Sequence, residues 1–333
     1  METQFHNRRA VQIENDQVRV TVTIGGGHVA EILHKASGVN PLWIPPWPSI
    51  EPSTHDPAKH PEYGNDNESK LLSGIMGQNL CLDLFGPPSE AEFAAGMSVH
   101  GEASVADYDV AVRDGQLVAK CVMPQAQLAF ERRLKLNGSR VEFHETVENL
   151  AALDRACAWT QHVTLGPPFL ERGVTQFRAP GTKSRGLGST KDFDWPYLPR
   201  PDGSREDLQV YTKAESSGGF TTHLMDPHRD NAFFLAYSPV SKVLFGYVWT
   251  RTDFPWLGIW EENHSREHKP WNRRALTRGM EFGASPFPET RRQMIERREM
   301  FGVPGYRWIP AKTKVEVDYY AFVESAAKIP DSV

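Results

Sequence analysis

Two hairpin signals set close together constrain this chain most. Asp114-Gly115 separates two runs of strand-like residues, 108–112 and 117–122, and Asn137-Gly138 separates two more, 130–136 and 141–147. Glycine takes positive φ without steric cost, so Asp-Gly and Asn-Gly between apolar runs favour tight turns. Four strands joined in this way form an antiparallel meander, with one face apolar and the other polar. Further strands are expected at 18–24, 28–33, 156–165, 219–225, 232–237, 243–250, 256–261 and 315–323, with Gly25 to Gly27 as a turn between the first two. Helical periodicity is scarce, and the best candidate, 289–300, is short and heavily charged. Residues 45–70 and 181–206 are rich in Pro, Asp, Ser and Gly and are expected as long loops. No repeat or change of composition divides the chain. The expectation is an all-β fold of antiparallel sheets with few short helices, two packed sheets in one domain over residues 1–333.

Composition then narrows the function. A net charge of −5 leaves no basic footprint for nucleic acid. No apolar run approaches the roughly 20 residues that a membrane helix needs. The first fifteen residues lack the apolar stretch of a secretory signal, and three widely spaced cysteines suit a reducing compartment, so a cytoplasmic protein is expected. Nine Trp, nine Tyr and seventeen Phe fit β cores first and sugar-stacking surfaces second.

Three short segments can carry proton chemistry. In Gly96 to Glu102, Gly101 follows His100 and lets a ligand approach the imidazole. In 159–169, alternation puts Trp159, Gln161 and Val163 on one face and Thr160, His162 and Thr164 on the other, so His162 stands on a small polar face at a strand end. In 277–283, Glu281 lies among apolar neighbours with Gly279 and Gly283 on either side. A carboxylate in an apolar cleft is pushed towards the range of a useful general base. Taken singly, His100 and His162 are better explained as structural histidines, and Glu281 is as easily a solvent-facing edge residue.

In this order on an all-β chain, the segments resemble the aldose 1-epimerase (galactose mutarotase-like) superfamily. Gly86-Pro87-Pro88 followed by Met97 to Gly101 is similar to the loop leading to a His-Gly pair in hexose mutarotases. Val147-Glu148-Asn149 followed by Gln161-His162 resembles the strand leading to the family's His-Pro segment. Gly279-Met280-Glu281 with Phe287-Pro288 resembles its Glu-containing strand, and Pro310-Ala311-Lys312 to Phe322 its closing turn and strand. The resemblance spans about Asp83 to Phe322. It implies a β-supersandwich whose site needs no cofactor and no metal, with His162 as acid at the ring oxygen, Glu281 as base at the anomeric hydroxyl and His100 binding the ring region.

Two departures from the family pattern bear on substrate choice. Val163 stands where the family has Pro, and the segment Gly77 to Leu80, read as a loop, lacks the substrate-binding Arg usual there. That argues for a neutral sugar, with Gln78, Asn79 and Asp83 as alternative hydroxyl ligands. Trp260 followed by Glu261, Glu262 and Asn263 offers a stacking ring beside carboxylates.

The competing readings are a non-catalytic carbohydrate-binding protein on the same fold and, less strongly, a sugar lyase or hydrolase using Glu261 or Glu262. An epimerase is expected to hold His162 and Glu281 facing across a gap the width of a pyranose ring; a binding protein can dispense with either. Zinc is a weaker alternative: His264 and His268 are four apart without the Glu of a HExxH motif, while His55, Asp56, His60 and Glu62, or His223, Asp226 and His228, crowd single loops. A monomer or homodimer is expected.

Overall fold

Both hairpins form, one of them a residue later than the pattern suggests. In the computed structural model, which describes residues 2–333, Arg113 pairs with Gln116 across Asp114-Gly115, whose φ angles of 50° and 75° make the two-residue turn. The second turn is Gly138-Ser139, closed by Asn137 and Arg140, with Gly138 at φ 59°. The meander runs through Asp109–Arg113, Gln116–Met123, Leu128–Asn137 and Arg140–Asn149 and continues into Lys314–Ser325, Val243–Thr250, Asn231–Ser238 and Gln176–Arg178 as an eight-stranded antiparallel sheet. Burial alternates along its middle strands, as expected for a sheet with one covered face.

A twelve-stranded sheet packs against it. Its main path begins with Glu2–Phe5, Arg8–Glu14, Val18–Thr23 and Val29–His34. It continues through Gln78–Asp83, Arg155–Leu165, Leu276–Gly283, Trp256–Asn263, Ser217–Met225, Gly181–Gly186 and Asp192–Asp194. One apolar cluster, drawing residues from Val11 to Val323, fills the space between the sheets. The helices are short: Ser69–Leu72, Glu90–Ala94 and Arg291–Arg297. The last lies within the stretch expected to be helical, and Thr290 and Gln293 form its capping box. No helix among the described residues is long and apolar enough to cross a membrane.

Sequence expectation and structure differ where backbone pairing, not side-chain periodicity, makes the strand. Residues 181–206, expected as a loop, hold Gly181–Gly186, Asp192–Asp194 and Tyr197–Pro199, and Arg205–Asp207 begins within them. Gly181–Gly186 joins the edge of Ser217–Met225 through an irregular register. Residues 2–14, read as a polar terminus, form two strands. Gln78–Asp83, read partly as a loop, is a central strand in which all six residues are buried. Its Gln, Asn and Asp concealed it, since a strand buried on both faces ordinarily reads as an apolar run. Residues 45–70 do form an irregular connection, containing the short turns Pro52–Thr54 and Pro61–Tyr63 and the start of Ser69–Leu72.

Candidate active site

Register brings the site together. In the twelve-stranded sheet, Asn79 pairs with His162, His162 with Glu281, and Glu281 with Gly258. Residues directly opposite in an antiparallel sheet point to the same face, so one row carries an amide, an imidazole and a carboxylate away from the inter-sheet core. Alternation within Arg155–Leu165 turns Trp159 and Gln161 the other way, onto the Glu145 carboxylate between the sheets.

His162 Nε2 and Glu281 Oε1 lie 3.1 Å apart, both side chains buried. They approach without the alignment of a hydrogen bond, and Glu281 Oε1 has no hydrogen-bond partner in the protein. The far nitrogen of His162, Nδ1, is 3.0 Å from Thr164 Oγ1. The pair stands side by side, not across the ring-width gap expected of an epimerase from the sequence. A Cβ on residue 279 would come 2.4 Å from Glu281 Oε1, so Gly279 leaves the space the carboxylate occupies. Burial raises the Glu281 carboxyl well above its ordinary value. Burial, and then the neighbouring His100, lower His162 well below the ordinary imidazole value. The favoured state is therefore a protonated carboxyl beside a neutral imidazole.

His100 reaches the pair from a loop. Its ring centroid is 4.9 Å from that of His162, and its Nδ1 donates to the Phe85 carbonyl at 2.6 Å, which leaves Nε2 as an acceptor on the neutral ring. Burial lowers His100 to about 4, so that ring is neutral at ordinary pH. The loop turns through positive φ at both His100 and Gly101, 67° and 80°. A Cβ at Gly101 would meet the Leu82 carbonyl at 2.3 Å, so only glycine fits there.

These groups border a cavity of about 520 Å³, within the range of small-molecule sites. Trp260 lines it, with its ring centroid 5.8 Å from that of His162. Glu261 borders it too, but its Oε1 accepts from Arg278, which is itself buried. Glu262 accepts from the Ser265 and Arg266 backbones and from the Ser265 hydroxyl.

Gln78 and Asp83 are placed elsewhere. Gln78 faces the core, with its amide on Gln161, Tyr319 and Tyr247. Asp83 takes bidentate contacts from both Arg155 and Arg291. Neither borders the cavity: alternation turns Gln78 to the core, while Asp83, on the same face as Asn79, is committed to the two arginines. Asn79 lies in the site row, fully buried, with Nδ2 unpartnered, but it does not line the cavity either.

Several cavity residues went unread in the sequence. Arg266 and Trp271, from the connection after Trp256–Asn263, stack with the Arg266 guanidinium 4.7 Å from the Trp271 ring, and Arg266 also lies over Trp260. Leu71, Leu72, Ile75 and Val99 form another wall. The His-rich stretch 264–268 was a signal that the loop mattered, but nothing local pointed to Arg266. Among the described residues, no three His, Cys, Asp or Glu side chains gather into a metal site.

No family model matches this sequence, and no curated protein sequence matches it. Solved structures do resemble it. A candidate aldose 1-epimerase from Klebsiella pneumoniae superposes with a TM-score of 0.69 at 14% identity, over 96% of this chain and 80% of its own. A galactose mutarotase-like protein from Clostridium acetobutylicum gives 0.63 at 11% identity, over 98% of both chains. A galactose mutarotase related enzyme from Lactobacillus acidophilus gives 0.61 at 12%, over 95% of this chain and 98% of its own. The chain has the galactose mutarotase-like β-sandwich fold.

Proposed function

We propose that this protein is an aldose 1-epimerase acting on a neutral sugar, with Glu281 and His162 as its base and acid. One observation carries the reading: Glu281 Oε1 is buried, unpartnered and 3.1 Å from His162 Nε2 on the wall of an open cavity. An unpaired buried carboxylate oxygen is costly unless something binds it.

The side-by-side placement suits the chemistry. The anomeric hydroxyl and the ring oxygen are both bonded to C1, so the groups serving them must be close neighbours. With its proton on His162, the pair removes a proton from O1 through Glu281 and delivers one to the ring oxygen through His162, and the C1–O5 bond breaks. The pair is then left as carboxylic acid and neutral imidazole, the state burial favours. Rotation about C1–C2 and the reverse transfers close the ring with C1 inverted. The His100 Nε2 lone pair accepts a hydrogen bond from a sugar hydroxyl, and Trp260 supplies a stacking face.

Charge supports a neutral substrate. Glu68, Glu261 and Glu262 border the cavity with Arg266, which contacts Glu68 at 3.3 Å and Glu262 at 3.5 Å. A lyase or hydrolase reading is less well supported, because Glu261 and Glu262 are engaged with Arg278 and the loop backbone.

The test follows single-anomer aldoses by proton NMR after dissolution, across hexoses and pentoses. The reading expects at least one sugar to equilibrate faster with protein than in buffer. Binding without any faster exchange would favour the non-catalytic sugar-binding protein.

A further inference from the structure

The cavity is larger than one sugar needs. The twelve heavy atoms of a hexose fill roughly 200–250 Å³ at the packing density of a protein interior, and the twenty-three of a disaccharide roughly 400–480 Å³. The space present is about 520 Å³. The extra room lies on one side. His162 and Glu281 are 5% and 3% exposed and close the inner end, whereas Leu187, Gly218 and Gly219 are exposed at the mouth.

Between these ends the wall is aromatic and apolar. Trp260 stands beside the pair, and the Trp271 ring follows it, the two centroids 5.9 Å apart and the planes at 72°. The Arg266 guanidinium lies over both rings. Leu71, Leu72, Ile75 and Val99 continue the surface in one cluster with Trp271. This wall also holds an unpaired donor: Trp271 Nε1 is buried and has no hydrogen-bond partner among the described residues. Trp47, packed edge-on against the same ring, instead donates its Nε1 to the Leu72 carbonyl. At the mouth, a Cβ on Gly219 would meet nothing within 4 Å. A bare strand of this kind admits a ligand close to the backbone.

An apolar surface with a donor set in it matches a pyranose, which offers a face of C–H groups and an edge of hydroxyls. An alkyl or aryl group would cover the same area and leave Trp271 Nε1 unpaired, which is costly for a buried N–H. Resting on the epimerase reading, the direction of a second ring follows. Glu281 and His162 hold C1 and the ring oxygen of the reacting sugar at the closed end, and C1 must be unsubstituted for the ring to open. A second ring therefore joins through the far side of the first and extends along Trp260 and Trp271 towards the mouth.

We infer that the preferred substrate is a reducing disaccharide. Its reducing ring meets the pair, and its second ring packs on Trp271 and the aliphatic wall, with a hydroxyl accepting from Trp271 Nε1. Contacts made by the second ring, away from the reacting bonds, hold the first in place.

The experiment compares reducing disaccharides with the hexose at their reducing end: maltose, cellobiose, lactose and isomaltose with glucose, and mannobiose with mannose. Anomer exchange is measured by NMR and binding, separately, by calorimetry. At least one disaccharide is expected to exceed its hexose about 10-fold or more in kcat/KM and in affinity, the scale of one hydrogen bond to a buried donor. Trp271→Phe keeps an aromatic ring and removes the N–H, and is expected to lower that ratio several-fold. A ratio taken within one variant does not depend on how much of it folds. An unchanged ratio in Trp271→Phe overturns the role of the indole N–H. If hexoses are exchanged and bound as well as the disaccharides they end, the inference is overturned while the epimerase reading stands. If no sugar exchanges, yet disaccharides bind more tightly than hexoses, the epimerase reading falls and the second-ring site survives as a binding site. If none exchanges and disaccharides bind no more tightly, both are overturned.

Discussion

At the scale of single residues, Glu281 and His162 make the sharpest predictions because burial moves their proton affinities in opposite directions. In the proposed reaction the productive pair carries one proton. It gains a second only below the lowered value of His162 and loses its own only above the raised value of Glu281. The kcat/KM profile, corrected for spontaneous mutarotation, should therefore stay level through pH 6.5, the ordinary imidazole value. An acid limb centred near 6.5 would show that His162 titrates as a solvated histidine. Stability responds as well. Between the ordinary carboxylate range and its raised folded value, Glu281 is protonated when folded and ionised when unfolded. In that window the folded state holds the extra proton, so stability falls as pH rises. Glu281→Gln removes this dependence, so thermal melts should show the variant gaining on wild type from pH 5 to pH 8, while activity falls by about 10²–10⁴. A constant difference in melting temperature across that range would mean that Glu281 is not held protonated.

At the scale of elements, the strand Gln78–Asp83 does more than complete the sheet. At its end Asp83 binds Arg155 from the neighbouring strand and Arg291 from the last helix, and Arg291 also reaches Glu92. Burial works to raise the Asp83 carboxyl, but the two guanidinium groups outweigh it and hold it below the ordinary value. Two residues on, the Phe85 carbonyl orients His100. Asp83→Asn leaves Arg155 without its carboxylate and Arg291 with Glu92 alone, and should cost about 3–5 kcal/mol in urea denaturation. With a lowered folded value, that contribution is present above the ordinary carboxylate range and is lost as pH falls through the folded one. Asp83 also marks the limit of what a sequence makes legible. Hairpins and alternating strands were legible because their signals are local: Asp114-Gly115, or the alternation around His162. His162 and Glu281 stood out through residue type and neighbours, but their contact depends on strand register, which no local pattern records. Gln78 looked like a ligand because a polar residue on a supposed loop suggests exposure, and Asp83 because it follows close behind where the family's Arg is missing; their partners lie up to 241 positions away. Arg266 carried no local mark at all, since its place over Trp260 and Trp271 is set by the path of a loop.

At the scale of the molecule, the sheets meet through a buried polar knot as well as apolar packing. Glu145 of the eight-stranded sheet accepts from Arg132, Trp159, Gln161 and Tyr319, and Arg132 also reaches Gln161 and the Gly27 carbonyl. Gln161 precedes His162, so this knot pins from beneath the strand that carries the proposed acid. Arg132→Met leaves the Glu145 charge buried without its cation and should lower stability by about 3–5 kcal/mol, read by chemical denaturation. A change below about 1 kcal/mol would mean that the neutral donors alone satisfy Glu145. The central proposal is that His162 and Glu281 open and close a hemiacetal. Two-dimensional exchange NMR on an equilibrated aldose tests this most directly, by reading transfer between the two anomeric proton signals. Wild-type protein should give exchange cross-peaks above buffer with at least one sugar, and Glu281→Gln and His162→Ala, each with an unchanged circular dichroism spectrum, should give none. Cross-peaks of wild-type intensity in both variants would contradict the account.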